Sequence, residues 1–242
     1  MRSFRALADL FQDLERTSSS SRLITLLAAF LSSLHPEEAA AVAHLLRGEL
    51  AAPFEGIEFG MAERLVAQAI AQAYGSPPER VRRMLSSLGD LGSVAERLRP
   101  GNSGRAAGSI LQVLKRLRAI AELSGGHSQA GKCARLAALL SEASGIEAKY
   151  LVRTVLGSHR LGVADMTYLR ALAKAYTRGV GDHTAIEAAY NILSDLGEVS
   201  RRVARGGLPA LRHIAPRPGI PVRMMLAARA RDLRELAAHM RG

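Results

Sequence analysis

Cysteine is all but missing from this chain of 242 residues. Cys133 stands alone, which excludes an intrachain disulfide and a thiolate cluster for zinc. Aromatic residues make up only 4% and tryptophan is absent. Ala, Leu, Arg and Glu take their place, a composition that favours helices over strands. No apolar run approaches the roughly 20 residues that a bilayer crossing requires. The first segment, MRSFRALADLFQDLERT, carries Asp9 early and has none of the apolar core of a signal peptide. The expected setting is therefore cytoplasmic, with no membrane partner. Catalytic groups are sparse too. The histidines (35, 44, 127, 159, 183, 213, 239) contain no i, i+4 pair, so no metal site is expected. The one adjacent acid pair, Glu37–Glu38, falls in the first turn of a predicted helix, where it complements the dipole. Nothing forms a catalytic triad. Taken alone, the chain lacks an enzyme's toolkit.

What is present is arginine, unevenly placed. The net charge is +11, and only Lys115, Lys132, Lys149 and Lys174 among the 33 cations are lysines. Residues 1–100 hold 11 Lys/Arg against 12 Asp/Glu, a net of −1. Residues 101–242 hold 22 against 10, a net of +12. A guanidinium offers a planar, bidentate fork that suits phosphate, so a nucleic-acid face and an ordinary solvated face are both consistent with this half.

Apolar residues recur at helical spacing nearly everywhere. FRALADLFQDLERT puts Phe4, Leu7, Leu10, Phe11 and Leu14 on one face. The same reading extends through LITLLAAFLSSL, PEEAAAVAHLLRGEL and MAERLVAQAIAQAYG to EVSRRVARG, and no period-2 strand interrupts it. The predicted fold is all-α, about a dozen short helices. It is also doubled. LAAFLS (27–32) matches LAALLS (136–141), and EAAAVAHLLRG (38–48) matches EAKYLVRTVLG (147–157). GMAERLVAQAIAQAY (60–74) then matches GVADMTYLRALAKAY (162–176), and GDLGSV (89–94) matches SDLGEV (194–199). The collinear order predicts two pseudo-twofold halves, 22–100 and 127–207, within a helical domain spanning 1–214. Helix 4–16 precedes the first half, and PGNSGRAAG with helix 109–123 joins the two. Residues 215–242 read as an extended, proline-rich linker, APRPGIPVRMMLA, followed by one more amphipathic stretch.

Several turns attract functional attention. GHSQAGKC (126–133) fits Gly-x-x-x-x-Gly-Lys, but Cys133 replaces the Ser or Thr that holds Mg²⁺ in a P-loop. The preceding residues read as a helix, whereas a P-loop follows a strand. A polar turn that offers Ser128 and Lys132 to a phosphate at a helix N-terminus is the better reading. GSHRLGVAD (157–165) sets Arg160 between two glycines, with a helix starting near Ala164. SDLGEV places Asp195 as an N-cap with Glu198 at N3, a capping-box arrangement, and Asp90 or Ser93 with Glu96 does the same in GDLGSVAE. Glycine turns at helix starts present free N–H groups to phosphodiester oxygens, although ordinary helix corners are built the same way.

On the residues SGGHSQAGK, IEAKYLVRTVLGSHRLGVAD, AYNILSDLGEV and PGIPVRMMLA, the chain resembles the N-terminal DNA-binding domain of ATP-dependent DNA ligases, especially the archaeal type. The likeness covers residues 1 to about 227. It implies an all-helical domain of two pseudo-symmetric halves that lies across the minor groove of nicked duplex DNA and contacts mainly backbone. Carried over residue by residue, it points to Arg160 and Gly162 as DNA contacts. Lys132 with Ser128, and the turn Asp195–Gly197, follow as further candidates, while Arg153 and Lys149 flank the same surface. ATP and Mg²⁺ are implied for a full-length enzyme, but no cofactor for this chain. None of the lysines opens the Lys-x-Asp-Gly motif that carries AMP in that family, so the partner is a catalytic core beyond the sequence given, and this stretch reads as an excised or truncated domain. A sliding clamp is a further partner in the family, but RPGNSGRAAG has no Gln-plus-paired-aromatic peptide. A helical scaffold for a protein partner, with a merely soluble basic face, is the competing expectation. A small enzyme built on the P-loop-like turn is a third.

Overall fold

A computed structural model describes residues 1–99, 106–159, 161–177 and 182–223. Arg160 and the amphipathic stretch after 227 lie outside the described residues. Among those described there are twelve α-helices and no named strand. The first six are α1 (Phe4–Glu15), α2 (Ser20–Leu31), α3 (Pro36–Leu46), α4 (Glu63–Ala73), α5 (Pro78–Leu88) and α6 (Leu91–Leu98). The second six are α7 (Ile110–Ala121), α8 (Ser128–Glu142), α9 (Gly145–Val155), α10 (Asp165–Tyr176), α11 (Asp182–Leu193) and α12 (Leu196–Gly206). None is long and apolar enough to cross a membrane.

The helices pack in exchanged pairs. α2 lies on α10 as α8 lies on α4, α3 lies on α12 as α9 lies on α6, and α1 lies on α9 as α7 lies on α3. The amphipathic faces of the first six are therefore buried largely by the second six, in one continuous core. Hydrogen bonds follow the same exchange. Phe4 N–H donates to the Gly108 carbonyl at 2.9 Å and Ile110 N–H to the Arg2 carbonyl at 3.0 Å, closing an antiparallel bridge between Ser3 and Ser109. Glu38 accepts from Arg2 N–H at 2.6 Å, and Glu147 from Ala107 N–H at 3.2 Å. Tyr74 OH donates to the Leu140 carbonyl, and Tyr176 OH to that of Leu31.

These contacts redraw two expected boundaries. Helix 109–123 is not a connector but the counterpart of α1. Ser3 caps α1 and Ser109 caps α7, and burial falls on Phe4, Leu7, Phe11 and Leu14 as it does on Ile110, Val113, Leu117 and Ile120. The two share a burial pattern and hardly a letter, so residue matching passes over them. The segment after 214 also departs from the extended reading. Ile220 N–H bonds the Arg217 carbonyl at 3.2 Å, and Gly219 takes φ +83° in that turn, folding the chain back onto α11.

Candidate nucleic-acid interface

α3 and α9 end on glycines that nearly touch: a Cβ on Gly48 would lie 3.3 Å from Gly157 Cα. From this junction two loops run to α4 and α10. Both close on the same backbone device, Phe59–Gly60–Met61–Ala62 in one and Leu161–Gly162–Val163–Ala164 in the other. Phe59 and Leu161 are buried, whereas Gly60 and Gly162 are exposed with φ +57° and +65°. A side chain is strained in that left-handed region, which explains glycine at both places. Ala62 and Ala164 then occupy the N-caps of α4 and α10 without any side-chain hydrogen bond to the first turn. Each turn thus presents peptide N–H groups that no side chain satisfies, at the positive end of a helix dipole. Beside the Gly60 turn, a cleft of about 550 Å³ runs to the end of α9, lined by Gly48, Glu49, Glu58, Gly60 and Gly157 among others.

The loops are held from beneath. His159 sits in a cluster with Phe11 and Tyr150, with ring centroids 5.3 and 6.3 Å away, and shares a 2.9 Å hydrogen bond with Thr154 Oγ1. Burial, reinforced by the Arg153 charge, pushes its pKa down to about 4, so the ring is neutral at pH 7. In the other loop Arg118 donates from Nε and a terminal nitrogen to the Leu50 carbonyl, at 2.9 and 2.6 Å.

The candidates named from sequence fare differently. Gly162 stands at the surface in the turn just described, and Ser128 opens α8 half-buried. Lys132 is buried, and its Nζ donates to the Phe59 carbonyl at 2.6 Å. It braces the Gly60 turn rather than facing solvent, because its helix packs on α4 at that point. Arg153 and Lys149 are buried as well. Arg153 reaches Asp90 at 2.8 Å and Glu15 at 2.9 Å, and Lys149 reaches Glu15 at 2.8 Å. Burial alone would raise Glu15, but hydrogen bonds from Lys149, Tyr150 and Arg153 bring its pKa down to about 2. Asp90 also lies near 2, its burial outweighed by Arg153 and Ser93. Both cations are spoken for inside the protein.

The Asp195 corner is likewise internal. Asp195 Oδ1 accepts from Gly197 and Glu198 N–H at 2.8 and 3.1 Å, so those amides are satisfied. Glu198 does not complete a capping box, since its carboxylate pairs with Arg201 and Arg202. Gly197 is buried where a Cβ would come within 2.1 Å of His44 Nε2, so close helix approach is what requires glycine. Sequence reading placed a helix start near Ala164 but passed over Gly60 and Ala62. Their signal was the match of GMAE with GVAD.

Two exposed arginines, Arg64 in the first turn of α4 and Arg170 further along α10, make no ion pair among the described residues. No group of three or more His, Cys, Asp or Glu able to hold a metal occurs among them either. In GHSQAGKC the residues from Ser128 on are the first turns of α8, which follows the helix α7, and Lys132 is bonded to a carbonyl, so the stretch does not form the strand-to-helix loop of a P-loop.

Fold and surface together define a class: an all-helical domain in which two matched glycine turns open α4 and α10. The family model described as DNA ligase N terminus matches residues 3–173. The chain belongs to that family, the N-terminal domain of ATP-dependent DNA ligases. It is similar to the DNA ligase of Aeropyrum pernix, 40% identical over 99% of this chain and 42% of the relative. DNA ligase 1 of Methanosarcina acetivorans is 37% identical over 99% of the chain and 41% of its own length. DNA ligase 2 of Thermofilum pendens is 36% identical over 99% and 42%. The chain therefore spans about two fifths of the length of these relatives.

Proposed function

We propose that this domain grips nicked duplex DNA through its backbone and presents it to the catalytic core of the same ligase. The observation that carries the reading is the matched pair of turns at Gly60 and Gly162, each opening an uncapped helix at the junction of the two halves. We take the exchanged helix pairing as a pseudo-twofold, and a duplex has a local twofold of its own. Two equivalent anion sites beside that axis suit two antiparallel phosphate backbones flanking a minor groove, held without reading bases. The basic balance of the chain supplies attraction at a distance. Nick sealing in replication, repair and recombination is the activity this binding would serve, in a cytoplasmic, nucleoid-associated enzyme. ATP and Mg²⁺ belong to the core rather than to this chain, and no clamp peptide is seen in the sequence.

Fluorescence anisotropy with a nicked duplex tests this. Affinity should fall steeply with salt and vary little with sequence, because counterion release drives it. Arg160→Ala should weaken binding evenly across sequences and reduce the salt slope by about one. A chain with no affinity for nicked duplex at low salt overturns the proposal. The scaffold alternative requires a continuous apolar groove. Among the described residues, the large hydrophobic ones that are exposed, Met1, Phe54, Leu88 and Val222, are spread along the chain.

A further inference from the structure

The segment by which the chain leaves the helical domain is held by a set of contacts that backbone packing alone does not require. Arg223 is their centre. Its guanidinium lies over the Tyr190 ring, 4.3 Å from the centroid. One terminal nitrogen meets Asp165 Oδ2 at 3.1 Å and the other donates to Tyr190 OH. Tyr190 OH in turn donates to Asp165 Oδ2 at 3.2 Å, closing a triangle of three side chains. The backbone is fixed too: Arg223 N–H donates to the Asn191 carbonyl at 2.8 Å, and Ser194 Oγ donates to the Pro221 carbonyl. Ser194 holds φ +50°, an uncommon conformation for a residue other than glycine, at the corner that delivers this hydroxyl.

The same carboxylate serves a second arginine. Arg47, the C-cap of α3, donates to Asp165 Oδ1 and binds Glu49 at 3.0 Å through Nε. Asp165 is the first residue of α10, three positions after Gly162. One carboxylate thus ties together the end of α3, the helix that follows the Gly162 turn, and the departing chain.

We propose that Asp165, Tyr190, Asn191 and Ser194 form a docking site for an extended Pro-x-Arg peptide, occupied in cis by Pro221–Val222–Arg223, which fixes the departing chain to the helix behind the Gly162 turn. An aromatic face for the cation, a carboxylate for the fork and a carbonyl for the peptide N–H are the elements that recognise arginine in an extended strand. The docking stands on this geometry alone. Its use, to orient whatever follows residue 223 relative to bound DNA, rests on the function proposed above.

Hydrogen exchange on the full 242-residue chain tests it. Arg223→Ala removes the side chain from an exposed position, so the helical core should keep its protection and melting temperature. Exchange of the residue 223 amide should accelerate at least about tenfold. Arg223→Lys should fail to restore full protection, because an ammonium lacks the planar guanidinium that lies over the Tyr190 ring and forks to Asp165 and the hydroxyl. Unchanged exchange at residue 223 in the alanine variant, or full restoration by lysine, would overturn the proposal. Nicked-duplex binding measured on the same samples keeps the two ideas apart. A wild-type chain that fails to bind DNA removes the functional reading and leaves the docking to be judged on exchange alone.

Discussion

The corner where α6 meets α9 and the corner where α12 meets α3 share one backbone plan and use different chemistry. In both, an aspartate caps a helix whose second residue is a buried glycine, pressed against the opposite helix. At the first corner the opposing side chain is Arg153, fixed between Asp90 and Glu15. At the second it is His44, 3.5 Å from Asp195 Oδ1 and with no hydrogen-bond partner at Nδ1. The backbone approach is thus what the two corners hold in common, while the polar filling differs. One corner is an ion-pair network reaching a third helix, and the other is a neutral ring in a tight gap.

The largest effect should come from breaking the network. Arg153→Ala leaves half-buried Asp90 without its main partner and Glu15 without one of three, and should cost about 3 kcal/mol by urea denaturation. His44→Ala removes a buried ring but strands no charge, and about 1–2 kcal/mol is expected. Equal losses would mean that the two corners differ in residue names only.

Glycine substitutions sharpen the contrast. Gly92→Ala drives a Cβ to 2.7 Å from the Lys149 carbonyl oxygen, a backbone atom that yields only if α6 and α9 separate. Gly197→Ala meets the His44 ring instead. Each should cost about 2 kcal/mol alone. Adding His44→Ala should recover most of the Gly197→Ala loss, whereas Arg153→Ala should not rescue Gly92→Ala. Additive behaviour in both cycles would refute this account of the close approach.

The same corners show what was legible in the sequence. Helices, their faces and the collinear match of the halves are local or repetitive patterns, so periodicity exposes them. Asp195 was legible as a cap, and Asp90 as one of two choices with Ser93, because capping is settled within four residues. Their partners were not. Arg153 looks like a surface cation in its own helix, and only the exchanged packing brings α1 and α6 around it. Lys132 misleads for the same reason, since the carbonyl it serves belongs to a loop far away in the chain. Gly162 could be found from family likeness, and Gly60 only from the internal repeat. The α1 and α7 pairing was hidden because burial, not residue identity, is what those helices share.

The smallest expected effect separates the corners by pH. Burial lowers the pKa of His44 despite Asp195 nearby, and it lowers that of His159 to about 4. A depressed histidine favours folding fully above its ordinary pKa of about 6.5, and that contribution fades as pH falls. Asp90 and Glu15, held near 2, contribute fully above about pH 4.5 and lose their contribution only in stronger acid. The urea midpoint should therefore decline in two stages, the first between about pH 6.5 and 4.5 and the second below it. His44→Gln should shallow the first stage, leaving the part due to His159, and should not touch the second. Arg153→Leu, melted over the same range, should flatten mainly the second stage, and the first only by the part that the Arg153 charge adds at His159. A His44 variant whose first stage matches the wild type would mean that this ring is not desolvated against α12, and the two corners would then differ less than their side chains suggest.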